Sequence, residues 1–170
     1  MKRLLQITLM AFTMTGLTTV ALAQNDSDTI QSLATVEAQI NVTGIQALDF
    51  GTLTAGSNSS VAVGDATAGQ FTVAGNGGTV DLAFDMTNAT LTGPGADIPI
   101  TFGAGTAAWG ADASSPTNTF DPSNTVGTTV NLYDDADGTL YVFVGGSITT
   151  AANQASGNYS GTIVLTATYN

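Results

Sequence analysis

Hydrophobic and polar positions alternate most regularly near the C-terminal end of the chain, from Tyr159 to Tyr169. The even-numbered positions there are mostly threonine or serine. A period of two in residues that favour β structure predicts a half-buried strand. We expect no later strand to pair with its outer edge. The odd-numbered positions are expected to face a core: Tyr159, Gly161, Ile163, Leu165, Ala167 and Tyr169.

A second alternating stretch runs from Ile30 to Thr43 near the other end. It exceeds the usual strand length of about five or six residues, so we expect two elements. Residues 24–35 are predicted to form an extended N-terminal arm, and residues 36–43 the first strand of a domain that spans residues 36–170. The even-numbered positions form the more apolar face: Ile30, Ser32, Ala34, Val36, Ala38, Ile40 and Val42.

Shorter alternating stretches between glycine-rich turns predict the rest of the domain. Residues 70–74 and 79–86 are predicted to pair as a hairpin through the turn at residues 75–78. Roughly eight strands without helical periodicity indicate an all-β protein with an immunoglobulin-like β-sandwich. The pattern leaves open whether that sandwich lacks its last strand. Further strands are expected at residues 60–63, 97–102, 126–133 and 139–149.

The first 23 residues have the pattern of a cleaved secretory signal peptide. Lys2 and Arg3 precede a mostly apolar run, and Ala21-Leu22-Ala23 fits the small-residue cleavage site. Cleavage would leave 147 of the 170 residues. We therefore expect a secreted protein that passes through the periplasm to the cell surface, without membrane insertion after cleavage.

Charge and composition exclude several classes of function. Removing Lys2 and Arg3 takes the formal net charge from −11 to −13, which disfavours nucleic acid as a partner. The mature chain has no lysine, arginine, histidine or cysteine. Since general acid–base and nucleophilic catalysis usually need such side chains, we expect no enzyme activity and no cofactor.

Two features offer alternative chemistry. The carboxylates of Asp134, Asp135 and Asp137 before Gly138 are candidate calcium ligands, although a solvated Asp-Gly turn fits the same residues. Trp109 lies in a stretch, residues 103–124, that we expect to be irregular. It fits either a sugar-stacking platform or a loop residue that covers one end of the sandwich. Pro99 favours an edge position for its predicted strand.

The C-terminal strand resembles that of chaperone–usher pilus subunits, which have a penultimate aromatic residue and a glycine fourteen residues from the end. Tyr169 and Gly157 occupy these two positions. The strand also resembles that of the spore coat protein U domain and of a related uncharacterised family of secreted bacterial proteins. The segment 48–53, Leu-Asp-Phe-Gly-Thr-Leu, adds to the resemblance with the latter.

This resemblance implies a fibre subunit that polymerises head-to-tail by donor-strand exchange, with a periplasmic chaperone and an outer-membrane usher as partners. The function would be a pilus-like surface fibre in adhesion or biofilm formation. The implied donor positions are Ile30, Ser32, Ala34, Val36 and Ala38. The implied chaperone and acceptor positions are Gly157, Tyr159, Ile163, Leu165, Ala167 and Tyr169.

Two other interpretations of the sequence stay open at this point. The arm could fold back on its own domain. Alternatively, the chain could be a stand-alone secreted β-sandwich that binds a glycan or calcium at the cell surface.

Overall fold

Short antiparallel strands make up nearly all the regular structure. The computed structural model describes residues 26–86, 89–124, 127–132 and 138–170. Within it, residues from Val36 onwards form one compact unit. The strands in chain order are β1 Ile40–Gln46, β2 Asn58–Val61, β3 Gly69–Gly75, β4 Thr79–Asp85, β5 Thr90–Leu91, β6 Ile98–Thr101, β7 Ala107–Gly110, β8 Asn118–Phe120, β9 Thr128–Asn131, β10 Thr139–Val144, β11 Gly146–Thr149 and β12 Val164–Tyr169.

The strands pair in three antiparallel sheets. A five-stranded sheet has the order β1-β3-β10-β7-β8, and a four-stranded sheet has the order β2-β11-β6-β5. The third sheet has the order β12-β4-β9. The chain is therefore all-β, as the alternation predicts, and its architecture is consistent with a β-sandwich.

One hydrophobic core joins the five-stranded and three-stranded sheets. The side chains of Val73, Leu140 and Val142 from the first sheet pack with those of Val80 and Leu82 from the second. All five are at most 1% exposed, so the two sheets exclude water from the space between them. Their burial supplies the main driving force for folding, since the described chain has no disulfide.

The alternation predicted for the C-terminal stretch is confirmed by burial except at Gly161, which is exposed although the pattern predicts that it faces the core. Leu165 is buried, and Tyr159, Ile163, Ala167 and Tyr169 are half-buried. The even-numbered positions from 160 to 168 are exposed. The ladder itself is shorter than the alternating pattern, because only residues 164–169 pair continuously, with β4. Residue 160 forms an isolated bridge with residue 92.

The predicted hairpin between β3 and β4 is wrong. β3 pairs with β1 and β10, whereas β4 pairs with β12 and β9 in another sheet. Both strands are predicted correctly as strands, and each buries one apolar face. The turn between them contains Gly77 and Gly78, both with positive φ, and it carries the chain from one sheet to the other. Facing apolar surfaces across the core outweigh local pairing here.

Other boundaries also differ from the prediction. The first strand begins at Ile40 rather than at residue 36. The stretch 139–149 is two strands in different sheets, with Gly145 between them. Pro99 lies in β6, which has neighbours on both sides, although the β11 ladder with β6 covers only residues 100 and 101. A proline therefore fits beside the end of this ladder, where its missing N–H is not needed.

Residues 103–124 are not irregular throughout, because they contain β7 and β8. Trp109 lies in β7, where it pairs with Val142 on one side and Asn118 on the other. Its side chain is half-buried and packs against the core. The small residues around it, including Ala107 and Ala108, are buried and lack the β-branched pattern that usually marks a strand.

Candidate binding groove

The first and last strands of the domain each have one unpaired edge in the part of the chain that the structure describes. β1 pairs only with β3, and β12 pairs only with β4. The two strands lie next to each other without forming a ladder. They run in opposite directions, because Tyr169 at the end of β12 contacts Gln39, just before β1. At the other end of β1, Gln46 lies near Ile163 in the wall of one cavity.

The Tyr169 hydroxyl group joins the two strands at one end. It donates a hydrogen bond to the carbonyl oxygen of Gln39 at 3.1 Å and accepts one from the N–H of Asn76 at 3.0 Å. Gly75 leaves the space for this hydroxyl group, since a Cβ at that position would collide with it. We call this end, formed by Gln39, Gly75, Asn76 and Tyr169, the closed end.

The segment that follows β1 and the segment that precedes β12 lie apart, and a groove opens between them. Residues 47–55 form one wall and residues 154–161 form the other. The cavity between them has a volume of about 780 Å³, and a smaller cavity of about 140 Å³ shares Leu48, Phe50 and Gly161 with it. We call the two cavities together the groove. Its volume lies near the upper end of the roughly 300–1,000 Å³ of typical ligand sites, so several residues of a peptide would fit.

The wall at residues 154–161 is held against the turn between β5 and β6. Thr92 and Ser160 exchange two backbone hydrogen bonds of 2.9 and 3.0 Å. The Tyr159 hydroxyl group accepts a hydrogen bond from the Gln154 side chain at 2.8 Å and donates one to the Ala155 carbonyl at 2.9 Å. Tyr159 is therefore a structural part of this wall, with both hydrogen-bonding functions of its hydroxyl group already used.

Gly157 has a conformational reason to be glycine. Its φ is +147°, which L residues with side chains rarely adopt, and a Cβ there would lie 2.5 Å from Cγ of Pro94. The resemblance assigns this residue to chaperone recognition. The structure shows that it also allows the wall to pack closely against the β5–β6 turn.

The opposite wall, residues 47–55, is anchored near its beginning without joining a sheet. The Asp49 N–H bonds to the Thr67 carbonyl at 3.0 Å, and its carboxylate accepts the N–H of Gly51 at 2.8 Å. The Phe50 carbonyl accepts a hydrogen bond of 3.0 Å from the Ser59 hydroxyl. Within the described chain, residues 47–55 form no strand, although the Asp49 N–H and the Phe50 carbonyl are already hydrogen-bonded.

The floor of the groove is apolar. Ile98 and Ile148 are buried beneath it, and Leu91 is half-buried at its side. Among the residues that line the groove, Asp49 is the one with a carboxylate side chain. Phe50 and Leu53, which the sequence suggests as core residues, are half-buried in the first wall. The groove thus offers apolar contacts to an occupant and little to a charged ligand.

The predicted donor positions all lie in an exposed segment, residues 26–39, which we call the N-terminal segment. It contains no strand, and each of its residues is exposed. Ser32, Ala34 and Ala38 share this exposure with the larger side chains. Across the described residues, the large hydrophobic side chains that are exposed are Ile30, Leu33, Val36, Ile45 and Val164.

These five exposed side chains are confined to three places. Ile30, Leu33 and Val36 belong to the N-terminal segment, Ile45 to β1 and Val164 to β12. β1 and β12 each have one unpaired edge, like the other strands at the ends of the sheets, and they lead into the two walls of the groove. The exposed apolar surface is therefore concentrated on one extended peptide, since neither Ile45 nor Val164 lines the groove.

The other candidate sites receive no support from the geometry. The possible calcium ligands Asp134, Asp135 and Asp137 lie outside the described residues. Elsewhere in the described chain, no group of three or more acidic, histidine or cysteine side chains is placed to hold a metal. Trp109 belongs to a sheet rather than to a loop. No helix within the described ranges is long and apolar enough to cross a membrane.

Sequence reasoning missed the residues that form most of the groove. Leu91, Ile98 and Ile148 come from three different strands, and no local pattern indicates that they share one floor. The segment 48–53 stands out in the sequence only for its resemblance to other secreted proteins. Its lack of alternation is a usable signal that this segment is a wall rather than a strand.

A protein-family model described as a domain of unknown function, DUF4402, matches residues 40–169. The chain belongs to the DUF4402 family. The matched region begins at the first residue of β1 and ends at the last residue of β12, so the DUF4402 domain contains both walls of the groove and excludes residues 26–39. No curated protein and no solved structure matches the chain significantly.

Proposed function

We propose that this DUF4402 protein is a structural subunit of a pilus-like surface fibre, in which the N-terminal segment of one subunit fills the groove of the next. The observation that carries the proposal is that the described chain exposes Ile30, Leu33 and Val36 on one extended segment, while its domain has an open groove with an apolar floor. An extended peptide in the groove would bury the even-numbered side chains of this segment against the apolar floor.

The chemistry of the segment suits the groove. Residues 29–36, between Asp28 and Glu37, carry no charge. An apolar floor disfavours a charged occupant, because burying an unpaired charge is costly. The even-numbered side chains of this stretch include Ile30 and Val36, which would face the floor when the peptide is extended. This uncharged stretch of eight residues would be about 26 Å long, close to the length of a nine-residue wall.

The energies are sufficient to hold a fibre together. Fully burying Ile30 and Val36 would contribute about 1.5–3 kcal/mol each. Each new backbone hydrogen bond would add about 0.5–1.5 kcal/mol. Together, these terms are comparable with the stability of a whole domain, about 5–15 kcal/mol. A subunit without cysteines can therefore form a durable contact without a disulfide.

The contact is head-to-tail, because one subunit provides the peptide and the other provides the groove. Such a heterologous contact does not close on itself and yields a filament. An exported subunit with an open groove needs protection before assembly, which is the role we assign to a periplasmic chaperone that covers β12. An outer-membrane usher would then deliver the subunits to the cell surface, where the fibre supports adhesion or biofilm formation.

The test is removal of the arm, residues 24–35, from the full exported chain. We expect fibres on negatively stained cells to disappear while the subunit stays folded and bound to its chaperone. A matched control removes only residues 24–28, which leaves the uncharged stretch in place and should retain fibres. Fibres that persist without the arm would refute the proposal. A stable monomer of the intact chain would favour the stand-alone sandwich that binds a glycan or calcium.

A further inference from the structure

The N-terminal segment joins the domain at the closed end. Gln39 immediately precedes β1, and its carbonyl is hydrogen-bonded to Tyr169 at 3.1 Å. The groove lies beyond the other end of β1. β1 has seven residues, so about 23 Å of strand separate this exit from the groove.

A chain that filled its own groove would have to reverse direction directly before β1. Tight reversals between antiparallel strands usually need positive φ, which glycine, asparagine and aspartate adopt most easily. Residues 36–39 read Val-Glu-Ala-Gln and contain none of these residue types. No residue other than glycine has positive φ in the described chain. The sequence before β1 therefore contains no residue that favours a two-residue hairpin turn.

The length of the N-terminal segment also disfavours filling of its own groove. After reversing, about seven residues of the segment would be needed to run back along β1, since each extended residue spans about 3.3 Å. The residues left for the groove would then include Asp26 and Asp28 rather than the uncharged stretch 29–36. Their carboxylates would approach Asp49 beside an apolar floor, which is unfavourable. A segment donated by another molecule has no such restriction on its position.

We infer that the exit of the N-terminal segment at the Tyr169–Gln39 contact prevents a subunit from filling its own groove and directs the uncharged stretch 29–36 to a second copy of the chain. This inference rests on the proposed function. It identifies chain geometry, rather than the chemistry of the groove, as the reason that the contact forms between molecules.

The test is a flexible linker that removes the geometric restriction. A Gly/Ser linker of about 16 residues has a root-mean-square span of about 23 Å, so placing it between Val36 and Glu37 lets the stretch 29–36 reach its own groove. A matched control carries the same linker between Asn25 and Asp26. There it lengthens the chain equally but does not lengthen the connection between the stretch 29–36 and β1. Both variants are made in the full exported chain, and the mass distribution is measured by light scattering after size-exclusion chromatography.

We expect the linker after Val36 to convert polymers to monomers, while the control stays polymeric like the wild type. An effective concentration near 1 mM for the tethered peptide, against about 10 µM subunit, favours the internal contact about 100-fold. If the wild type and the linker variant both polymerise, this inference is overturned and the proposed function stands.

Proteolysis of the wild-type protein distinguishes failure of this inference from failure of the proposed function. If it is a monomer whose residues 26–36 resist proteolysis, the segment fills its own groove and the inference fails. If it is a monomer whose segment is digested freely, the groove is not filled by this peptide and the proposed function fails.

Discussion

The Tyr169 hydroxyl group donates a hydrogen bond to the Gln39 carbonyl oxygen at 3.1 Å, so the penultimate residue is tied to the residue just before the first strand. The same hydroxyl accepts the N–H of Asn76 at 3.0 Å. One side chain of the three-stranded sheet thus bridges two points at the margin of the five-stranded sheet. Because β1 and β12 form no ladder, this bridge is a specific polar connection between their ends.

Removing only the hydroxyl group should therefore weaken the domain. Tyr169→Phe keeps the ring and loses two hydrogen bonds, each of which contributes about 0.5–1.5 kcal/mol. We expect the free energy of unfolding, measured in urea, to fall by about 1–3 kcal/mol. Tyr141→Phe is the control, because the described residues provide no hydrogen bond to the Tyr141 hydroxyl. Equal effects of the two substitutions would show that the bridge adds no stability.

Gly157→Ala should destabilise the groove wall. Alanine does not tolerate the φ of +147°, and its Cβ would collide with the Pro94 ring. A residue whose side chain conflicts with the native backbone costs more than about 1 kcal/mol. We expect a lower melting temperature in calorimetry and faster proteolysis within residues 154–161. Gly103→Ala is the matched control, since a Cβ at that position would have nothing within 4 Å and the substitution should be neutral. Unchanged melting of Gly157→Ala would contradict the structural role of this glycine.

Placing the same charge on either face of the extended N-terminal segment tests which of its side chains face the groove floor. Ile30→Asp would bury a carboxylate against the apolar floor, and we expect fibre yield to fall at least tenfold, equivalent to about 1.4 kcal/mol. Gln31→Asp puts an identical charge on the opposite face of the extended chain, where it stays in water. Its fibre yield should remain close to the wild-type value. Equal loss in both variants, measured by electron microscopy and sedimentation, would rule out this orientation.

Assembly should accelerate as salt is added. Residues 24–170 contain 13 acidic residues and no lysine, arginine or histidine, so every encounter between two copies brings together negatively charged molecules. The Debye length falls from about 30 Å at 0.01 M to about 10 Å at 0.1 M, which reduces this repulsion. We expect the rate of polymerisation, followed by light scattering, to rise severalfold over that range. A rate that falls with added salt would indicate attractive charge contacts instead.

The strongest local patterns identify strands, but they do not identify their partners. Alternation marks β3, β4 and the C-terminal stretch, because one buried face imposes a period of two. The predicted pairing of β3 with β4 is wrong, because the turn at residues 76–78 crosses between sheets instead of closing a hairpin. Pairing depends on the surfaces that face each other across the core, and a single sequence does not display them.

The candidate site is predictable only in part. The alternating N-terminal segment and the position of Tyr169 are apparent from the sequence. The groove floor is not, since Ile148 is fifty residues from Ile98 and joins the paired Leu91 and Ile98 only after three strands have folded. β7 escapes prediction as well, because Ala107 and Ala108 have low strand propensity and are buried by tertiary packing.

Disulfide capture between two variants tests the central claim most directly, because the chain has no cysteine of its own. One variant carries Ser32→Cys in the N-terminal segment, and the other carries Ser156→Cys or Thr52→Cys in a groove wall. The two are co-produced and exported, and disulfide-linked products are separated on non-reducing gels and mapped by mass spectrometry. We predict a bond between position 32 of one molecule and a wall position of another. No bond between the two variants, or a bond that forms only inside a third variant carrying both cysteines in one chain, would contradict the account.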